Sequence, residues 1–160
     1  MPITDPDNGC YGAEVKKPDA SVPTLLVSAV ALIDTDGRVV LAQRPAGKSM
    51  AGLWEFPGGK VDEGETPESA LVRELAEELD IDITESCLAP LTFASHIYDA
   101  EGAGGKAFHL LMPLFVCRVW KGMIKPLEGQ QLKWVRPLDM RNLEMPAADI
   151  PLVAILRDWL

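Results

Sequence analysis

The run ETPESALVRELAEELDI (residues 65–81) constrains the fold more than any other part of the 160-residue chain. Thr66 can cap a helix with its hydroxyl. Pro67 suits the first helical position, where no N–H is needed, and Glu68 suits the positive end of the helix dipole. These signals predict a helix from about Pro67 to Leu79. At about 100° per residue, Leu71, Val72, Leu75, Ala76 and Leu79 share one face, which is then the buried one. The helix closes at Asp80, a residue type that accepts the left-handed conformation common at that point.

Around this helix the chain reads as strands. TLLVSAVALID (24–34) is rich in branched apolar residues, Asp36-Gly37 marks a tight turn, and RVVLAQR (38–44) returns as a second strand. Residues 45–59 are punctuated by Gly and Pro and read as a loop. LTFASHIY (91–98) and KAFHLLMPLFVCRVW (106–120) form strands across the hairpin tip DAEGAGG. QLKWVRP (131–137) is a further strand, and DIPLVAILRDWL (149–160) has helical apolar spacing. This order predicts an α/β fold with a mixed β-sheet between helices. Residues 1–22, rich in proline and turn formers, read as a flexible N-terminal tail ahead of a domain over 23–160.

On the face next to the apolar stripe of the 67–79 helix, Glu74, Glu77 and Glu78 stand at i, i+3 and i+4. Like charges at these spacings repel by about 0.2–0.5 kcal/mol per pair. Arg73, four residues before Glu77, offsets only part of that. A solvated acidic face is the plain alternative. The Gly58-Gly59 turn ahead of the helix favours another reading, because it can bring a backbone carbonyl to the cluster. Carboxylates, a carbonyl and waters form the hard-oxygen site that Mg²⁺ or Mn²⁺ prefers. The formal charge of −9 argues against coating a nucleic-acid polymer, yet a bridging cation would let an acidic chain hold a phosphate ligand. No apolar run reaches membrane-spanning length. The three cysteines have no metal-ligand or redox spacing and fit reduced thiols in a cytoplasmic protein. A monomer or weak homodimer is expected.

Counted from Gly59, the stretch reads G, five residues, Glu65, seven residues, then RELAEELDI. This resembles the signature box of the Nudix hydrolases, G-x5-E-x7-R-E-U-x-E-E-x-G-U with U aliphatic. Asp80 alone departs from it, standing where the box has glycine. The segment LAQRPAGKSMAGLWEFPGGKVDEGETP, together with LEGQQLKWV and MPAADIPL, is similar to the MutT-like branch, so the resemblance covers about residues 24–160. It implies the α/β/α Nudix fold. It also implies a Mg²⁺ site made by the Gly58 carbonyl, Glu74, Glu77 and Glu78. Arg73 would orient the glutamates and Glu65 would fasten the loop to the helix. Glu128, just before Gly-Gln, would be a further metal ligand or general base, and Arg44 would contact substrate phosphate. Glu128 and Arg44 each have a plain alternative as surface charges. The implied reaction is metal-assisted hydrolysis of a nucleoside triphosphate to a monophosphate and pyrophosphate.

The base is signalled by a different stretch. Asp149 matches the asparagine that faces oxidised guanine in the MutT branch, which implies an 8-oxo-dGTP diphosphatase that cleanses the nucleotide pool. A CTP or modified-dCTP pyrophosphohydrolase is the alternative. A nucleotide-binding module without turnover is the second. A carboxylate only accepts hydrogen bonds, so Asp149 suits an amino or ring N–H. It also suits a helix N-cap before Ile-Pro. Phe56 is a candidate for stacking on the base, or a core aromatic. Ser49 stands where similar proteins carry histidine. Tyr98 matches a tyrosine of dinucleoside-polyphosphate hydrolases but also fits a strand end, and His96 and His109 read as satisfied strand histidines.

Overall fold

The computed structural model describes residues 22–160, so the reading of residues 1–22 as a tail, and Cys10 with it, lies outside the described residues except at position 22. The helix signals act as the sequence indicates: α1 spans Pro67–Leu79. The Ser69 N–H donates to Thr66 Oγ1 at 3.1 Å, and the Thr66 N–H donates to Ser69 Oγ at 2.9 Å. This reciprocal cap satisfies two groups the first turn leaves free. Ala70, Leu71, Leu75 and Leu79 are buried, while Ala76 is exposed. The buried stripe is therefore narrower than the sequence reading and shifted toward Ala70. Asp80 closes the helix at φ 58° and ψ 37°, with Lys125 Nζ 2.9 Å from its carboxylate. Asp80→Gly relieves the left-handed strain and gives up only an exposed ion pair. Urea unfolding should show it about 0.5–1 kcal/mol more stable than wild type.

The mixed sheet expected from the sequence is present, and a second, antiparallel sheet lies beside it in the chain's fold. The larger has the order β4-β1-β6-β5, built from β1 (Thr24–Leu32), β4 (Gly58–Lys60), β5 (Ala89–Tyr98) and β6 (Phe108–Cys117). Within it β1 runs parallel to β6 and antiparallel to β4. The smaller, β3-β2-β7, is antiparallel and joins β2 (Val39–Gln43), β3 (Trp54–Glu55) and β7 (Gln131–Val135). Residues 45–59, read as loop, thus contain β3 and the start of β4. These strands are too short to show a period, and they exist because β1 and β2 offer open edges to pair with.

The β1–β2 turn forms as read. Gly37 takes φ 73°, and Asp34 Oδ1 accepts the N–H groups of Asp36 and Arg38 at 2.9 and 2.8 Å. The final helix α2 spans Ile150–Trp159. Alternation along β1 divides the interior. Ala29 and Ala31 pack in a cluster with Leu114 and with Leu152 and Leu156 of α2, while Val30 and Leu32 pack with Leu71, Leu75 and Leu79 of α1. The larger sheet is thus covered by α1 on one face and, in part, by α2 on the other, which is the α/β/α layering.

Candidate active site

The packing of α1 on β4 places Glu74 against the Gly58-Gly59 strand. A Cβ at Gly59 would run into the Glu74 carboxylate and force it to shift. Arg73 lies between the helix and the loop before it. Its Nε and Nη2 grip both oxygens of Glu65 at 2.7 and 2.8 Å, and Nη2 donates to the Lys60 carbonyl at 3.1 Å. Its Nη1 holds Glu74 at 2.7 Å. The bidentate grip of Arg73, with the Asp62 N–H at 3.0 Å, holds the Glu65 carboxyl down at about 2. This depressed group adds stability above its unfolded value near 4.5, and that stability is lost as pH falls toward 2. Glu65 and Arg73 therefore tie loop to helix and orient Glu74.

Glu74, Glu78 and Glu128 line one cleft of about 410 Å³, with Gly58 and Gly59 in its wall. Burial first, then the carboxylates of Glu74, Glu128 and Glu55, push the Glu78 carboxyl up to about 8, against a hydrogen bond from the Gly58 backbone. Glu77 is not brought into this wall. Its side chain is 55% exposed and sits 3.7 Å from Arg73 Nη1. Among the described residues no three His, Cys, Asp or Glu side chains form a closed metal cluster. Mg²⁺ binds hard oxygens and keeps several waters for substrate phosphates, so an open cleft lined by crowded carboxylates fits it.

A second cavity of about 550 Å³ adjoins the first. Both are lined by Arg44, Glu55, Phe56, Gly58, Gly59 and Lys60. Arg44 Nη1 meets the two Glu55 oxygens at 3.1 and 3.0 Å, and its Nε donates to the Ser49 carbonyl at 2.7 Å. Asp149 is buried in the wall of the larger cavity. It occupies the N-cap position of α2 but makes no side-chain cap bond. Its carboxylate instead accepts the Phe56 N–H at 3.3 Å, so the capping alternative is corrected. Burial, then the nearby Glu55 charge, pushes the Asp149 carboxyl up to about 7. Phe56 is buried in the core and also lines both cavities.

The sequence matches the NUDIX domain family over residues 23–155. The chain belongs to that family. It is 39% identical over 128 residues to the CTP pyrophosphohydrolase of Escherichia coli K12, covering 77% of this chain and 84% of that one. It is 37% identical over 105 residues to the 8-oxo-dGTP diphosphatase of Proteus vulgaris, covering 66% and 86%. Among solved structures it is similar to the MutT proteins studied from Aliivibrio salmonicida and Vibrio cholerae, at TM-score 0.69 and 30% identity over 86% of this chain and 99% of that one. It is equally similar to the ORF135 protein of E. coli, at TM-score 0.69 and 34% identity over 89% and 94%.

In this NUDIX protein the other singled-out residues have structural partners. The Tyr98 hydroxyl accepts the Ala148 N–H at 3.1 Å and so steadies the approach to α2. His109 Nε2 bonds Ser95 Oγ at 2.7 Å, and His96 packs edge-on to the Tyr98 ring. Three contacts escaped the sequence reading: Glu55 on Arg44, Lys48 Nζ at 3.7 Å from Glu128, and Gln130 between Glu128 and α1. The two ion pairs and the Gln130 bond to α1 join residues brought together by folding, while the Gln130 bond to Glu128 joins near neighbours. Cys87 and Cys117 are free thiols, and no helix of the described residues is long and apolar enough to cross a membrane.

Proposed function

We propose that this NUDIX protein is a Mg²⁺-dependent nucleoside-triphosphate pyrophosphohydrolase, with 8-oxo-dGTP as its leading substrate and removal of that mutagenic nucleotide as its role. The observation that carries the reading is the joining of two cavities across one rim. One is lined by Phe56 and the buried Asp149 carboxylate, as a base pocket would be. The other is a cleft of carboxylates, as a phosphate-bridging metal site would be. Glu74, Glu78 and Glu128 would hold Mg²⁺ with the Gly58 backbone, and Glu77 would join after rotating from its exposed position. Mn²⁺ would substitute. Bound there, the metal would polarise the phosphate oxygens and acidify a coordinated water.

The chain's own groups set the rest. Arg44, poised at the rim on Glu55, would meet the substrate phosphates. Phe56 and Asp149 would hold the base, with Asp149 accepting from its N–H groups. The Glu128 contact with Lys48 is long, which leaves that carboxylate open to take a proton from the attacking water. Attack of water at the β-phosphorus would break its bond to the oxygen shared with the α-phosphorus, which leaves on the monophosphate, and yield pyrophosphate and a proton. CTP is the second reading, favoured by the 39% identity to a CTP pyrophosphohydrolase.

The test is a panel of 8-oxo-dGTP, dGTP, CTP and dCTP at equal concentration with Mg²⁺, followed by pyrophosphate release. The leading reading expects the highest kcat/KM for 8-oxo-dGTP. A higher value for CTP or dCTP moves the assignment to the second reading, and binding without release leaves a nucleotide-binding module. Asp149→Asn should change the ratio of bases by about tenfold, the value of one altered hydrogen bond, without changing the Mg²⁺ requirement. An unchanged ratio would remove Asp149 from base recognition.

A further inference from the structure

Glu128 reaches the acidic cleft from a loop, where a side chain is held only if its neighbours hold it. The segment from Lys125 to Gln130 is laid against the C-terminal turn of α1, where helix carbonyls lack intrahelical partners. The Lys125 N–H donates to the Leu79 carbonyl at 2.9 Å, and the Leu127 N–H donates to the Glu78 carbonyl at 3.0 Å. Gln130 adds a different kind of link. Its side chain is largely buried, at 9% exposure for the residue. Nε2 donates to the same Glu78 carbonyl at 2.8 Å, while Oε1 accepts the Glu128 N–H at 2.8 Å. The opposite amide orientation would set oxygen against oxygen and N–H against N–H, so both bonds require this one. One amide thus spans the backbones of two acids that line the same cleft.

We propose that Gln130 is a positioning residue for hydrolysis: it sets the spacing between the Glu128 and Glu78 carboxylates, and with it the grip of the cleft on a divalent cation. This rests on the proposed metal-dependent hydrolysis. The two backbone bonds from Lys125 and Leu127 dock the loop without Gln130, so its loss should leave the loop in place and free Glu128 to move. A group that merely anchors the loop would act on stability instead.

The experiment uses the full chain with Gln130→Leu, which loses both bonds at similar volume. Gln130→Glu keeps an acceptor for the Glu128 N–H but turns an oxygen on the Glu78 carbonyl. Mn²⁺ affinity is read by titration calorimetry without nucleotide, alongside steady-state kinetics on the best triphosphate of the panel. For Gln130→Leu the expected result is a 10–100-fold loss in Mn²⁺ affinity and in kcat, with KM within about twofold of wild type and little change in Tm. Gln130→Glu should fall between Leu and wild type. In a Glu128→Gln background, Gln130→Leu should add less than about a twofold further loss, because both changes act on one carboxylate.

A lowered Tm with Mn²⁺ affinity and kcat intact would overturn the proposal. So would a wild type that binds no Mn²⁺, or a full multiplicative effect in the Glu128→Gln background. If Gln130→Leu weakens Mn²⁺ binding but no triphosphate is hydrolysed, its hold on the cation grip of the cleft stands, while its role in hydrolysis falls with the hydrolase reading.

Discussion

Glu78→Gln should lower pyrophosphate release by about 10²–10⁴-fold, the range for loss of a group acting directly on the reacting centre. It should do so without loosening the fold. Glu78 is crowded by Glu74, Glu128 and Glu55, and burial already pushes its carboxyl up to about 8. A group raised in this way supports the fold while protonated, and its contribution is lost as pH rises from its unfolded value near 4.5 through 8. The neutral amide avoids that loss. The metal-free variant should therefore match wild type in Tm at pH 5 and exceed it at pH 8. Pyrophosphate assays and thermal melts at the two pH values check both halves. Turnover within tenfold of wild type would remove Glu78 from the reaction centre, and a Tm deficit at pH 8 would contradict the crowding of acids in the cleft.

Gly59→Ala should be the second large effect. The added methyl would occupy the space of the Glu74 carboxylate, which Arg73 holds at 2.7 Å. Arg73 is itself fixed on Glu65, so the strain passes into the whole tie between loop and helix. Overpacking of this kind costs about 1–3 kcal/mol, and displacing a ligand or its support costs about 10–100-fold in activity. A double variant separates the two. Adding Glu74→Ala to Gly59→Ala should restore stability toward that of Glu74→Ala alone, while activity stays low. If Gly59→Ala is as stable and active as wild type, the close approach of Gly59 to Glu74 has no functional weight.

The parts of this fold that the sequence announces are those made by neighbours in the chain. The Thr66 cap, Pro67 and the leucine stripe define α1 within one stretch, and the same stretch sets out the acids with Arg73 and Glu65. The two glycines lie close enough ahead of it to share one spacing pattern. The misreadings have the opposite character. β3 and β4 are two and three residues long and sit among Gly and Pro, so only their partners on β2 and β1 make them strands. Asp149 follows the local rule for a cap, yet the Phe56 N–H, 93 residues away in the chain, takes its carboxylate. Gln130 stands in the Gly-Gln after Glu128, but its bond to the Glu78 carbonyl reaches back 52 residues and has no local signal. Glu77 is legible as a member of the box, while its outward position depends on how far α1 turns against the sheet.

The joined cavities also bear on how such an enzyme changes over generations. Asp149 belongs to the larger cavity alone, while Glu74, Glu78 and Glu128 belong to the smaller. With Asp149 holding the base as proposed, a substitution in the wall around it would shift which nucleotide is accepted while the acids stay in place. On that division of labour, substrate preference would drift under selection with the proposed hydrolytic machinery inherited intact, and paralogues with different nucleotide diets would need to differ in only one wall.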